Sequence, residues 1–556
     1  MTSKKSHALS ACNRSTIQAL IDVPGAAPRR RGLAALSPSA ALRAGRGLLG
    51  IALLVAGLAA QGSGPDAAAS GSSGASLDRW AGEGRRLLRG EDLLAAQRTF
   101  RGLRERWPGE ADGLLGLGEV HLQLGRADLA LLYAQAARRE HPSSPRAAAL
   151  EVRALLRLRR FDDAVRVARR ALSLMHAAGA ELWAAYASAL FRVQRSDDAA
   201  DAYRRVLELD PLHAEAHVRL GSGLTEPAAV SRPRTLESGV AALHAGDLDR
   251  AILAFHTVVL EHPRHAVAHR LLGDALLQRL ARRSMAADAP EFAALAAALP
   301  IPEASGLEHR RFLPALPHLS PERHRVAARA LALFATRLPR LVAMGGRHDL
   351  LTELERTTEA PERASLRGKR TFDGRVWDDV RGIGGLRAAT GIEALDEAAR
   401  FGFDTLSHEI AHQAHLYAFR PVDRRRITAL YEAAKAGQHF LDYYAANNEA
   451  EYFGQGVEAF ASLAKRPGRE ATHGHTRFEL YRIDRDLYDF IESVVDDDPL
   501  QDPAQRARLL PASAAVAMRC GRFADAAVAA EMMDPGPERD ALMARAQRAL
   551  RFAQTY

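Results

Sequence analysis

The feature that most limits the fold of this chain is a repeat. Trp80, Gly84, Ala96, Phe100 and Pro108 recur 34 residues later as Leu114, Gly118, Ala130, Ala134 and Pro142. A third, less regular unit carries Ala148, Ala164, Ala168 and Ala171, and a fourth carries Trp183, Ala187, Ala199, Tyr203 and Pro211. A stretch rich in Pro and Ser, Thr225 to Pro233, interrupts the series. It resumes at Gly239, Ala251, Phe255 and Pro263, with half-units at Leu220-Gly221 and Leu272-Gly273. The pattern reads as pairs of antiparallel helices. Small residues let the two helices approach, an aromatic ring plugs the gap, and proline ends the second helix. One hairpin cannot bury its own apolar face, so neighbours must stack, and residues 77–280 are predicted to form a helical solenoid.

These positions resemble the tetratricopeptide repeat. The resemblance implies a concave face that binds an extended peptide or another protein. The competing expectation is a prop for the next domain, since the fold does not specify a ligand. His121, His217 and His269 fall inside predicted helices and are expected at the core edge rather than on a metal.

Ala, Leu and Arg dominate the 556 residues, which are 47% hydrophobic and 6% aromatic. This composition favours helix over strand, and the length implies more than one domain. The net charge of +9 points to nucleic acid only until it is located. Lys4, Lys5, Arg14, Arg29, Arg30, Arg31, Arg43 and Arg46 stand against the single acid Asp22, so +7 of the total lies in residues 1–47. The nearly neutral remainder gives no electrostatic reason to expect DNA or RNA. The apolar run Leu48 to Ala60 is short for a membrane span and suits a signal-peptide core. Residues 1–61 are therefore expected to be a basic leader with a signal peptide, or as second choice a signal anchor, followed by a linker at 62–76. The protein is expected to be exported, periplasmic or secreted. Cys12 would leave with the leader, so Cys520 would be the one thiol of the mature chain.

The chemistry-bearing motif is Ser407-His408-Glu409-Ile410-Ala411-His412, within a segment from Ile392 to Phe419 that reads as one long helix, interrupted at most at Gly402. Histidines at i and i+4 share a helix face and can reach one metal ion. Glu409 projects from the adjacent face, where it can take a proton from water without displacing it. A zinc site of this kind needs a third protein ligand. No glycine-histidine extension follows His412. A second segment, Tyr444 to Phe460, reads as helical and contains Asn448-Glu449-Ala450-Glu451-Tyr452-Phe453.

That run, with a tyrosine four residues before its asparagine, resembles the zinc site of the anthrax lethal factor family of gluzincin metallopeptidases. The resemblance spans about 305–500 and is specific only around 404–460. It implies Zn²⁺ held by His408, His412 and Glu451, Glu409 as general base, and Tyr444 as oxyanion donor. The family's glutamate four residues after the third ligand is Gln455 here, which can accept a hydrogen bond but supplies no charge. Glu458, a turn further on, is expected to compensate. Glu449 points to another helix face than Glu451, and Glu458 is the weaker alternative ligand. Three histidines from one helix would strain a tetrahedral site, so His415 is expected behind the ligands. His473 and His475 are expected at the surface. Arg375 to Trp377 and Gly382 to Gly385 read as a short strand and a glycine turn, which would let substrate add as an extra strand, or as an ordinary surface loop.

The fold class expected is mainly α: the repeat solenoid, an α+β zincin-like metallopeptidase domain at 305–500, and a C-terminal helical hairpin at 506–556. The function expected is a zinc endopeptidase acting on an exported or envelope protein, with the repeats holding substrate or a protein partner. A catalytically quiet repeat scaffold with a remnant zinc domain is the alternative, and hydrolysis of another carbonyl substrate a third.

Overall fold

The computed structural model describes residues 73–175, 178–223, 233–284, 290–371, 374–466 and 474–555. The leader with Cys12, nearly all of the interruption at 225–233, and His473 lie outside the described residues. The described chain is mainly helical, and none of its helices is long and apolar enough to cross a membrane.

Helices α1 (Ser73–Arg89) and α2 (Leu93–Arg106) open the array, so helix begins a few residues inside the segment expected as linker. The hairpins α3 (Ala111–Gln123) with α4 (Ala127–Glu140), α5 (Pro145–Arg157) with α6 (Phe161–Leu174), and α7 (Ala180–Arg192) with α8 (Ser196–Leu209) follow. The small-residue logic of the repeat is visible at Phe100. A Cβ on Gly84 would lie 2.6 Å from its ring, and a Cβ on Gly116 2.1 Å, so any larger residue there would expel the plug.

The array then departs from a simple stack. Among the described residues, helix α9 (Ala214–Gly223) has no second helix of its own. After the interruption come α10 (Arg234–His244), α11 (Leu248–Glu261) and a second lone helix, α12 (Ala266–Ser284). The two lone helices pack on each other. Equivalent residues meet across the contact. A Cβ on Gly221 would lie 2.7 Å from the backbone nitrogen of Arg270, and a Cβ on Gly273 2.7 Å from that of Val218. At the centre, His217 Nδ1 and His269 Nδ1 are 2.8 Å apart and their Nε2 atoms stand 3.0 and 3.1 Å from the carbonyls of Pro211 and Pro263, three contacts of which two neutral rings can make two as hydrogen bonds. The two half-units of the sequence thus complete each other in an arrangement close to two-fold.

Burial holds both imidazoles neutral, lowering His217 to about 3, with repulsion from His269 adding to it, and His269 to about 4. The unfolded histidines take up protons near pH 6.5, the folded pair only near pH 3–4. The unfolded state therefore binds more protons between these limits. The pair's contribution to stability is present above pH 6.5 and is lost as pH falls toward 4. Melting temperature measured from pH 6.5 to 4 should fall more steeply in the wild type than in a variant carrying His217→Gln with His269→Gln. Equal slopes would contradict this account.

The second half is built around a helical core with one small sheet. Helices α13 (Pro290–Ala298), α14 (Leu307–Phe312), α15 (Pro321–Ala332) and α16 (Leu338–Ala343) lead into β1 (Arg347–Leu351), β2 (Gly382–Ile383) and β3 (Arg387–Gly391). The strand order is β1-β3-β2, with β1 parallel and β2 antiparallel to β3. Three short strands are much less sheet than an α+β domain suggests. The segment from Ile392 is broken around Gly402, the one place expected to interrupt it. It forms α17 (Glu393–Ala399), a bend with Phe401 at φ 60°, α18 (Thr405–Gln413), and a single π turn over Ala414–Ala418. Then come α19 (Pro421–Gly437), α20 (Glu449–Ala461), α21 (Arg477–Ile483) and α22 (Arg485–Val494). Leu406, Ile410, Phe419, Tyr452, Phe453, Phe460 and Ile491 bury α18 and α20 in one core.

The C-terminal segment is three helices rather than a hairpin: α23 (Pro503–Arg519), α24 (Phe523–Glu531) and α25 (Pro537–Thr555). They return to the start of the array. Arg101 lies 5.0 Å over the Phe552 ring, Arg519 Nη2 bonds the Gly90 carbonyl at 3.1 Å, and Arg466 pairs with Glu91 at 3.3 Å. The middle of the array also touches the second half. Val376 N donates to Ser222 O at 2.8 Å, and Arg270 Nη2 to Glu353 O at 2.6 Å. Part of the repeat surface is therefore spent on holding its own chain.

Candidate metal centre

Helix α18 starts where Asp404 caps it, accepting from Ser407 N at 3.1 Å. Its other end is tied to the sheet. Gln413 Nε2 donates to the carbonyls of Arg347 and Leu386 at 3.2 and 3.0 Å, and Gln413 Oε1 lies 2.9 Å from the buried His348 Nδ1. Helix α20 is capped by Asn448, whose Oδ1 accepts from the backbone nitrogen of Glu451 at 2.9 Å. Two capped, tied helices therefore present His408, His412 and Glu451 from fixed backbones.

The three side chains converge. His408 Nε2 and His412 Nε2 are 2.9 Å apart, and Glu451 Oε2 lies 3.1 Å from the first and 3.5 Å from the second. Among the described residues this is the only group of three His, Cys, Asp or Glu ligand atoms within 4.8 Å of one another. Donors about 2.1 Å from a tetrahedral ion stand about 3.4 Å apart, so the donor set and its spacing fit Zn²⁺. Three electron-pair donors at one point are reconciled only by a proton or a cation. Burial disfavours the charged His408 ring, but the hydrogen bond and charge of Glu451 outweigh it and raise its pKa. Burial likewise works against the Glu451 carboxylate, but hydrogen bonds from His408 and His412 hold its pKa far below the ordinary range.

Glycine makes room for this cluster. A Cβ on Gly454 would lie 2.9 Å from Cε1 of both His408 and His412. A Cβ on Gly382 would lie 2.7 Å from Glu409 Oε1, and one on Gly384 3.3 Å from Glu409 Oε2. The glycine run thus brings the edge strand β2 against Glu409. Burial pushes the Glu409 carboxyl up, with His412 and His408 pulling the other way.

The remaining residues singled out in the sequence fall as follows. Tyr444 belongs not to a helix but to the turn before α20, with its ring 6.4 Å from that of His408. Gln455 is fully buried on α20, yet Nδ1 of His408 and of His412 has no hydrogen-bond partner, so Gln455 does not orient either ring by a bond. Glu458 is hydrogen-bonded elsewhere, and its charge is the smallest of the causes of the raised His408 pKa. Its Oε1 accepts from the backbone nitrogen of Asp404 at 3.0 Å and from buried Lys465, which places it at the start of α18. His415 turns away through the π turn and bonds Glu449 at 3.1 Å. His475, expected at the surface, is buried and bonds Asp442 and Glu479. Sequence reasoning missed Gly454, Gln413 and Asp442. Only Gly454 left a signal, as a glycine one turn beyond Glu451 inside a helix.

The array reaches this region through Arg192, whose guanidinium lies 4.7 Å over the Tyr443 ring and donates to its hydroxyl.

Family models of the tetratricopeptide repeat match residues 82–145 and 236–300, and a second such model matches 180–222. The chain therefore carries tetratricopeptide repeats. Solved structures similar to it include a thermophilic TPR protein of Thermus thermophilus, at 17% identity over 36% of this chain and 99% of that one, TM-score 0.26. YrrB, described as a TPR protein with an unusual peptide-binding site, is similar at 17% identity over 34% of this chain and 88% of its own, TM-score 0.21. The TPR domain of P58(IPK) is similar at 13% identity over 86% and 100%, TM-score 0.19. No curated protein matches.

Proposed function

We propose that the chain is a zinc-dependent endopeptidase of an exported or envelope protein, with tetratricopeptide repeats that hold its substrate or a protein partner. The observation that carries this reading is the convergence of His408, His412 and Glu451 with a buried carboxylate, Glu409, in the same helical turn. Zinc held by the three would supply Lewis-acid polarisation of water and carbonyl oxygen. Glu409, kept above the ordinary carboxylate range, takes a proton from the attacking water and returns it to the leaving amine. Tyr444 donates to the oxyanion. Edge strand β2 beside Glu409 offers main-chain bonds to an extended peptide. A quiet repeat scaffold is favoured by one observation, the absence of any hydrogen bond behind the two imidazoles. A proteomic cleavage profile comparing wild type with Glu409→Gln separates the two. Cleavages present only with wild type support the peptidase, and identical profiles refute it.

A further inference from the structure

Buried Asp442 and His475 form a chain with half-buried Glu479 that the proposed chemistry does not use. Asp442 opens the turn that carries Tyr443 and Tyr444. Its Oδ1 accepts from Ala445 N at 2.8 Å, and its Oδ2 lies 3.3 Å from His475 Nε2. The other ring nitrogen of His475 lies 3.0 Å from Glu479 Oε2. The chain continues into the C-terminal helices, since Glu479 lies 3.5 Å from Arg522 Nη1, and Asp525 accepts from Thr476 Oγ1 at 2.8 Å and Arg482 Nη2 at 2.9 Å. An imidazole with a carboxylate on each nitrogen donates twice only when it carries both protons. Burial works against that charge, but Glu479 and Asp442 lift the pKa to about 10.

We propose that His475 is a positioning residue: gripped by Glu479 on α21, it holds Asp442 and through it the turn that sets the Tyr444 ring against His408. The turn is irregular from Leu441 to Asn447. Besides the Asp442 cap, its backbone carbonyls are met by Ala446 N on Asp442 O at 3.3 Å, Asn447 N on Tyr444 O at 3.0 Å, and the Tyr431 hydroxyl on Ala446 O at 3.2 Å. Arg192 reaches the turn from the array at the Tyr443 hydroxyl, and His475 ties it at Asp442 to α21 and, through Glu479 and Arg522, to α24. A general role in folding would spread the loss over the molecule, but this geometry confines it to the turn.

This inference rests on the peptidase reading for the role of Tyr444, so its test has one arm free of activity. In full-length His475→Gln, hydrogen exchange of the amides of residues 442–447 should rise about tenfold or more, with α18 and α20 unchanged. Zinc content and KM should stay near wild type, while kcat falls about 10- to 100-fold. In a Tyr444→Phe background the same change should cost little more, because the two act through one hydroxyl. Asp442→Asn, which keeps the cap on Ala445 but loses the charge facing His475, should repeat the exchange result if His475→Gln does not fold. Unchanged exchange in the turn, or an equal loss of kcat in both backgrounds, would overturn the proposal. If the wild type cleaves no peptide, the peptidase reading fails, and the exchange arm still decides this one.

Discussion

Glu409→Gln should bind zinc like the wild type and lose about 10²- to 10⁴-fold in kcat, the range general-base removal costs. The two properties separate because Glu409 is not among the converging donors. His408, His412 and Glu451 meet without it, and Gln keeps the shape that the glycines at 382 and 384 accommodate. Its Oε2 is buried with no hydrogen-bond partner, so the amide loses no existing bond at that atom. What it loses is the lone pair that receives the proton. Activity within threefold of wild type would remove Glu409 from the mechanism, and loss of zinc together with activity would make it a ligand.

Gly454→Ala tests the other half of the site. In most helices this change gains about 1 kcal/mol of helix propensity. Here the new methyl would stand 2.9 Å from a carbon of each ligand imidazole, closer than side-chain contacts tolerate. The rings are held by α18, whose ends are tied at Asp404 and Gln413, so the clash is relieved by turning the imidazoles away from Glu451. Zinc affinity, measured by competition with a chelator, should fall about 10- to 100-fold, the range for disturbing ligand orientation, with the helical circular dichroism unchanged. Wild-type affinity in this variant would mean that the histidines do not hold metal where their nitrogens now converge.

The solenoid was legible because its signal is local. A 34-residue period and a proline after four of the five second helices need no knowledge of distant residues. The pairing of α9 with α12 was not legible, since it joins two half-units across an interruption of unrelated sequence. The His408–His412 face follows from helical spacing alone, and the arrival of Glu451 was suggested only by resemblance. The turn at Tyr444 read as helix because Ala445 and Ala446 favour helix, whereas Asp442 and Asn448 compete for the backbone as turn and cap. His475 looked exposed for the polar, glycine-containing run around it. Its burial depends on carboxylates 33 residues upstream and four residues downstream. Glu458 seemed to lie behind the ligands by helical phase, but Lys465 and the broken start of α18 claim it. The repeat-like pattern of the C-terminal stretch allows it to pack back on the array but does not specify α2 as the partner of α25.

What decides the site is whether His408, His412 and Glu451 hold one metal ion. The measurement that reaches it most directly is metal analysis with X-ray absorption on the purified full-length protein. About one zinc per chain is predicted, with a shell of two imidazole nitrogens and a carboxylate oxygen near 2.0–2.2 Å, lost in Glu451→Ala. Protein that takes up no zinc, or a shell unchanged by that substitution, would contradict a metal ion held by the three.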